Sequence, residues 1–113
     1  MTTFTSFDRE ECAVFQLSGR FVEDDDHRDL LDRVAFAADN GRERFVFDLA
    51  NLSYINSSGI NVIVKIVKQL NDKRARLVFT SVPEKINELL TIMKLNAVLA
   101  IQPSLEEGIQ SLN

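Results

Sequence analysis

The amino-acid sequence predicts an α/β domain: a mixed sheet of four to five strands, mostly parallel, with an N-terminal antiparallel hairpin and about four helices. Three observations point there. Short runs rich in β-branched and aromatic residues alternate with stretches whose apolar residues recur at helical spacing. Each helical stretch can supply the crossover that a pair of parallel strands requires. The 113 residues contain no linker, internal repeat or low-complexity tract, so residues 1–113 read as one domain.

Residues 2–8 alternate loosely around Phe4 and Phe7, and residues 12–18 form a denser run with Val14, Phe15 and Leu17. The polar break between them predicts a hairpin. Gly19 interrupts the second run as a bend or bulge would, and Phe21 and Val22 resume it. The acidic residues 23–26 open a helix, where a carboxylate can cap the free amides and suits the dipole. Leu30, Leu31, Val34, Ala37 and Ala38 share one face of that helix, and Asp29 and Arg33 are spaced to pair on the other. Phe36 falls on the polar side, as a candidate contact point. Gly41 sits where a helix end wants a left-handed residue.

Residues 44–49, RFVFDL, read as a strand, followed by a connection over 51–56. A second helix then begins near Ser58. Ile60, Ile63, Val64, Val67 and Leu70 are its expected buried stripe, with Asn61, Lys65, Lys68 and Asp72 outward. Residues 77–82 are strand-like. Ser81 and Glu84 have capping-box spacing with Pro83 in the first turn, ahead of a stripe of Val82, Ile86, Leu89, Leu90 and Met93. Residues 98–102 are a last strand. Ser104 and Glu107 repeat the capping spacing before Leu105, Ile109 and Leu112.

Composition narrows the function. A net charge of −4 argues against a nucleic-acid binder, which needs a basic stripe to meet phosphates. No apolar run is long enough to span or insert into a membrane, and the start MTTFTSFDREE lacks the features of a signal peptide. Cys12 has no second cysteine to pair with, which fits a reducing cytoplasm. The acidic run 23–26 lacks a calcium-loop pattern, and His27 is the single histidine, with Cys12 distant in sequence, so no metal site is expected. No Walker or dinucleotide glycine pattern occurs, and Ser57-Ser58-Gly59 is not a nucleophile elbow. The expectation is a cytoplasmic binding protein without cofactor or catalytic site.

The informative stretch is residues 48–59, DLANLSYINSSG, a strand leading through a loop to a helix N-terminus. Ser57 and Ser58 lie where backbone amides lack partners, a place that favours an anion. Gly59 would let the backbone approach whatever binds. On residue type alone Ser57 reads as a helix cap. The stretch, however, resembles the pattern D-L-x-x-V-x-Y-I-D-S-S-G of STAS domains of the anti-sigma-factor-antagonist family. Leu17-Ser18-Gly19 is similar to that family's early L-x-G, and Leu89-Leu90 with Met93-Lys94-Leu95 to its late leucine segment.

The resemblance implies a protein that binds an anti-sigma factor serine/threonine kinase, so releasing a sigma factor and regulating transcription indirectly. It implies that phosphorylation, at the position of Ser57, ends the binding, and that a PP2C-type phosphatase restores it. It places the partner surface at Asn56, Ser57, Ser58, Gly59, Asn61 and Lys65, with Val22, Glu23, Asp24 and Asp25 from the nearby loop. Two positions depart from the family: Asn56 and Val22 stand where it usually has aspartates. Asparagine can cap but carries no charge; the acidic run 23–26 would replace part of it. The alternative reading is an accessory STAS subunit without a phosphorylated serine, as in lipid-transport ABC complexes. The expected oligomeric state is a monomer or weak dimer.

Overall fold

In the computed structural model, which describes residues 2–21 and 26–113, strands and helices alternate in the expected order. β1 (Thr2–Arg9) and β2 (Cys12–Phe21) form the hairpin. They are followed by α1 (Asp26–Asp39), β3 (Arg44–Ile55), α2 (Ser57–Asp72), β4 (Arg76–Thr80), α3 (Glu84–Ile92), a 3-10 turn (Leu95–Ala97), β5 (Ile101–Gln102) and α4 (Leu105–Leu112). The strands lie in the order β1-β2-β3-β4-β5, with β1 antiparallel to β2 and every later pair parallel. The hairpin turns on Glu10 and Glu11, both left-handed (φ 49° and 66°), the conformation whose twist suits a two-residue connection.

Strand alternation sorts side chains into two cores. Ala13, Phe15, Leu17, Phe45, Phe47 and Phe79 face α1, α2 and α3, and Phe47 stacks on Phe15 and Phe79 with ring centres 5.5 and 5.3 Å away. Cys12, Val14, Val46 and Val78 face the opposite way, beneath Ile109 and Leu112 of α4. Strands buried on both faces read as continuous apolar runs, which is why RFVFDL stood out. Ser104 caps α4, its Oγ accepting from the Glu107 amide at 3.2 Å, as its spacing predicted. Gly41 ends the α1 segment with φ 96°.

Six expectations are corrected. β3 does not end at residue 49 but runs to Ile55, because β2 continues past irregularities around Gly19 (φ 86°) and pairs Gly19 with Leu52 and Phe21 with Ile55. β5 keeps only Ile101 and Gln102, since the 3-10 turn takes the preceding chain and leaves Val98 exposed. Ser81 does not cap α3; it is itself left-handed (φ 54°), and Pro83 stands at the N-cap without a side-chain bond. Met93, one residue past the end of that helix, is exposed. In α2 the buried residues are Gly59, Ile60, Val62, Ile63, Ile66 and Leu70, whereas Val64 is 44% exposed and Val67 only partly buried. The sheet-facing side is centred between Ile63 and Ile66, and Val64 lies on the outer side of the helix. Asp29 and Arg33 are both exposed, with no ion pair between them among the described residues.

Cys12 lies fully buried beneath α4. Burial raises its thiol pKa above the ordinary value, Glu10 and Glu11 add to the rise, and Arg44 opposes it. The thiolate is the reactive form, so the native thiol should resist alkylation at neutral pH while the urea-unfolded chain reacts readily. Because folding retains this proton, its contribution to stability is complete below the free-thiol range and is lost as pH rises through and beyond it. Rapid native-state labelling without unfolding would contradict this placement.

Candidate functional site

The site is built where β3 delivers the chain into α2. Asn56 is extended (φ −118°, ψ −176°) and forms the N-cap: its Oδ1 accepts from the Gly59 amide at 2.9 Å, while its carbonyl accepts from Ile60 at 2.9 Å. That capping bond uses the Gly59 amide and leaves those of Ser57 and Ser58 without an intrahelical acceptor. Ser57 is exposed and Ser58 half-buried. Ser57 is therefore not the cap; its hydroxyl stands on the outer side of the first turn. The first turn of α2 carries no acidic residue of its own, so no charge within that turn opposes the positive end of the helix dipole.

Gly59 has a different role from the one its sequence suggests. It is buried, and a Cβ built on it would lie 2.0 Å from the Phe21 carbonyl oxygen and 2.9 Å from the Ile55 side chain. The missing side chain lets α2 sit against the end of β2, and Gly59 is no part of an outward surface. Phe21 is also where the acidic connection begins in sequence; Val22, Glu23, Asp24 and Asp25 lie outside the described residues. Asp48, at the head of the motif, is buried. It accepts from Gln16 Nε2 and from the Ala50 amide, each at 3.0 Å, where the β2–β3 register shifts.

Along α2, Ser57, Asn61, Val64, Lys65 and Lys68 recur at spacings that share one helical face, and all five are exposed. The structure thus brings together Asn56, Ser57, Ser58, Asn61 and Lys65. It adds Val64, which sequence periodicity had assigned to the core. At the strand ends, Arg20 and Tyr54 are cross-strand partners, with the guanidinium 4.3 Å from the ring centre. The pairing depends on the register shift at Gly19, where the sequence signals a bend or bulge but not which residues then pair. No described helix is long and apolar enough to cross a membrane.

This architecture has known relatives. The STAS domain family model matches residues 9–108, and the chain belongs to that family. In sequence it is 30% identical over 73 residues to a Bordetella bronchiseptica protein named "Putative anti-sigma factor antagonist BtrV", a match covering 65% of this chain and 63% of that relative. In structure it is similar to a Thermotoga maritima protein described as a "putative anti-sigma factor antagonist" (TM-score 0.81, 17% identity, 96% and 93% of the two chains). It is likewise similar to the antagonist SpoIIAA in its unphosphorylated form (TM-score 0.78, 16% identity, 96% and 95%) and to the Bacillus SpoIIAA in its phosphorylated form (TM-score 0.75, 16% identity, 98% and 100%). At such identities the structural likeness shows the fold.

Proposed function

We propose that this STAS domain is an anti-sigma factor antagonist. It docks on an anti-sigma factor serine kinase through the exposed face at the start of α2, and phosphorylation of Ser57 releases it. A PP2C-type phosphatase would then restore binding. The observation that carries this is the division of labour at the helix start: Asn56 takes the capping role, and Ser57 is left exposed on a first turn that carries no acidic residue of its own. Similarity to proteins named as antagonists, one of them known in a phosphorylated form, supports it.

The proposed switch is electrostatic. A phosphoserine brings a charge of about −1.5 to −2 at neutral pH. At Ser57 that charge meets free amides and the positive dipole end, a local gain of about 0.3–1 kcal/mol for an exposed anion. Asn56, uncharged, adds no repulsion. The domain therefore tolerates the phosphate. A partner seated over Ser57 would have to desolvate it and give up contact space, and acidic partner groups would repel it.

Ser57→Asp and Ser57→Ala beside wild type test the proposal. Both variants should melt near the wild-type temperature. Ser57→Ala should keep kinase binding, and Ser57→Asp should lose at least about tenfold in affinity, which corresponds to about 1.4 kcal/mol. Equal affinity for all three proteins would remove Ser57 as the switch and favour the accessory-subunit reading.

A further inference from the structure

β1 closes one side of the sheet, and no described residue pairs with its outer edge. Its sequence, TTFTSFDR, has no proline or lysine, its charges are confined to Asp8 and Arg9, and its register with β2 is unbroken. The usual devices that blunt an exposed edge are therefore missing from residues 2–7. Counting back from the two-residue turn, Arg9, Phe7, Thr5 and Thr3 direct backbone groups toward β2. Asp8, Ser6 and Phe4 direct theirs outward.

The surface beside this edge is self-complementary. Phe4, Asp29, Asp32, Arg33 and Phe36 line a shallow hollow of about 450 Å³. Phe36 is 65% exposed, and among the described residues Asp29, Asp32 and Arg33 form no ion pair. α1 runs in the same direction as β1: Phe4 lies beside Asp29 and Phe36, Ser6 and Asp8 beside Arg33 and Ala37, and Asp8 is held by Arg42 beyond the helix. A two-fold rotation near Thr5 would join two β1 strands antiparallel and set α1 antiparallel to its copy. The acidic end of each hollow would then face the Arg33 and Phe36 end of the other.

We propose that this edge is the contact for a second copy of the chain. An isologous dimer would join two five-stranded sheets into one continuous sheet, with Phe36 of each copy anchored in the other's hollow. It does not depend on the reading of Ser57. α2 lies on the β3 and β4 side of the sheet, so both copies would keep the Ser57 face open.

Sedimentation of the purified chain from micromolar to millimolar concentration tests this. A reversible monomer–dimer equilibrium is expected. Phe36→Glu, on an exposed helical position, and Ser6→Pro, which removes an outward edge amide, should each weaken the dimer at least about tenfold. Phe36→Glu should leave the melting temperature of the dilute monomer unchanged, which separates lost association from lost folding. A wild-type protein that stays monomeric throughout, or a dimer that survives both substitutions at unchanged strength, overturns the proposal.

Discussion

Replacing Ile63 by alanine is expected to lower the unfolding free energy by about 2–5 kcal/mol. The same truncation one residue on, at Val64, should change it by less than about 0.5 kcal/mol. Ile63 is fully buried between α2 and the phenylalanine layer of β2, β3 and β4, so its loss removes transfer energy and leaves a cavity. Val64 is 44% exposed and loses little on truncation. Lys65→Ala and Lys68→Ala, on the same outer face, belong with Val64. Urea melts check this, provided the slope stays constant. The contrast should reverse in binding. A partner covering the α2 face removes Val64 from water, so Val64→Ala should weaken it by about 1–2 kcal/mol, at about 0.8 per buried methyl-sized group. Equal stability losses at positions 63 and 64 would disprove the assignment of faces.

Gly59→Ala is the second large effect, and its sign is diagnostic. In a helix, alanine is ordinarily favoured over glycine by about 0.5–1 kcal/mol. Here the added methyl would lie 2.0 Å from the Phe21 carbonyl oxygen, far inside contact distance, against backbone that cannot swing away. Overpacking of this kind costs about 1–3 kcal/mol and sometimes more, which exceeds the propensity gain. A net loss of stability is expected. Because relief requires α2 to shift off the end of β2, partner affinity should fall as well. Gly41→Ala is a useful comparison: no atom lies within 4 Å of its Cβ position, so any loss there comes from its φ of 96° alone. A Gly59→Ala protein as stable as wild type would mean that α2 does not sit against β2 in this way.

How the site is assembled explains what could be read in advance. The motif DLANLSYINSSG located the helix start to within a residue, because capping chemistry and helical spacing are local and leave a local trace; the strand end was read six residues short, and Ser57 stood out only through the family resemblance. The same locality failed at Ser81. Its capping-box spacing matched that of Ser104, yet only Ser104 caps a helix, since Ser81 is held left-handed where β4 turns into α3. Gly59 was legible as a close approach but not as an approach to Phe21, 38 residues earlier in the chain.

By itself the sequence determined the alternation of strands and helices, the hairpin and the start of the second helix, read near Ser58 and found at Ser57. Each rests on periodicity or turn chemistry within a few residues. Only the tertiary structure decided the length of β3, which depends on partners that β2 supplies beyond its irregularity at Gly19. It alone decided which side of α2 is inner, because an apolar residue every three or four positions defines a stripe without saying where the sheet meets it. That choice moves Val64 from the core to the outer face beside Ser57 and Lys65. The reason is common to both: strand pairing and helix docking join residues far apart in the chain, and their register is set by contacts that no single segment contains.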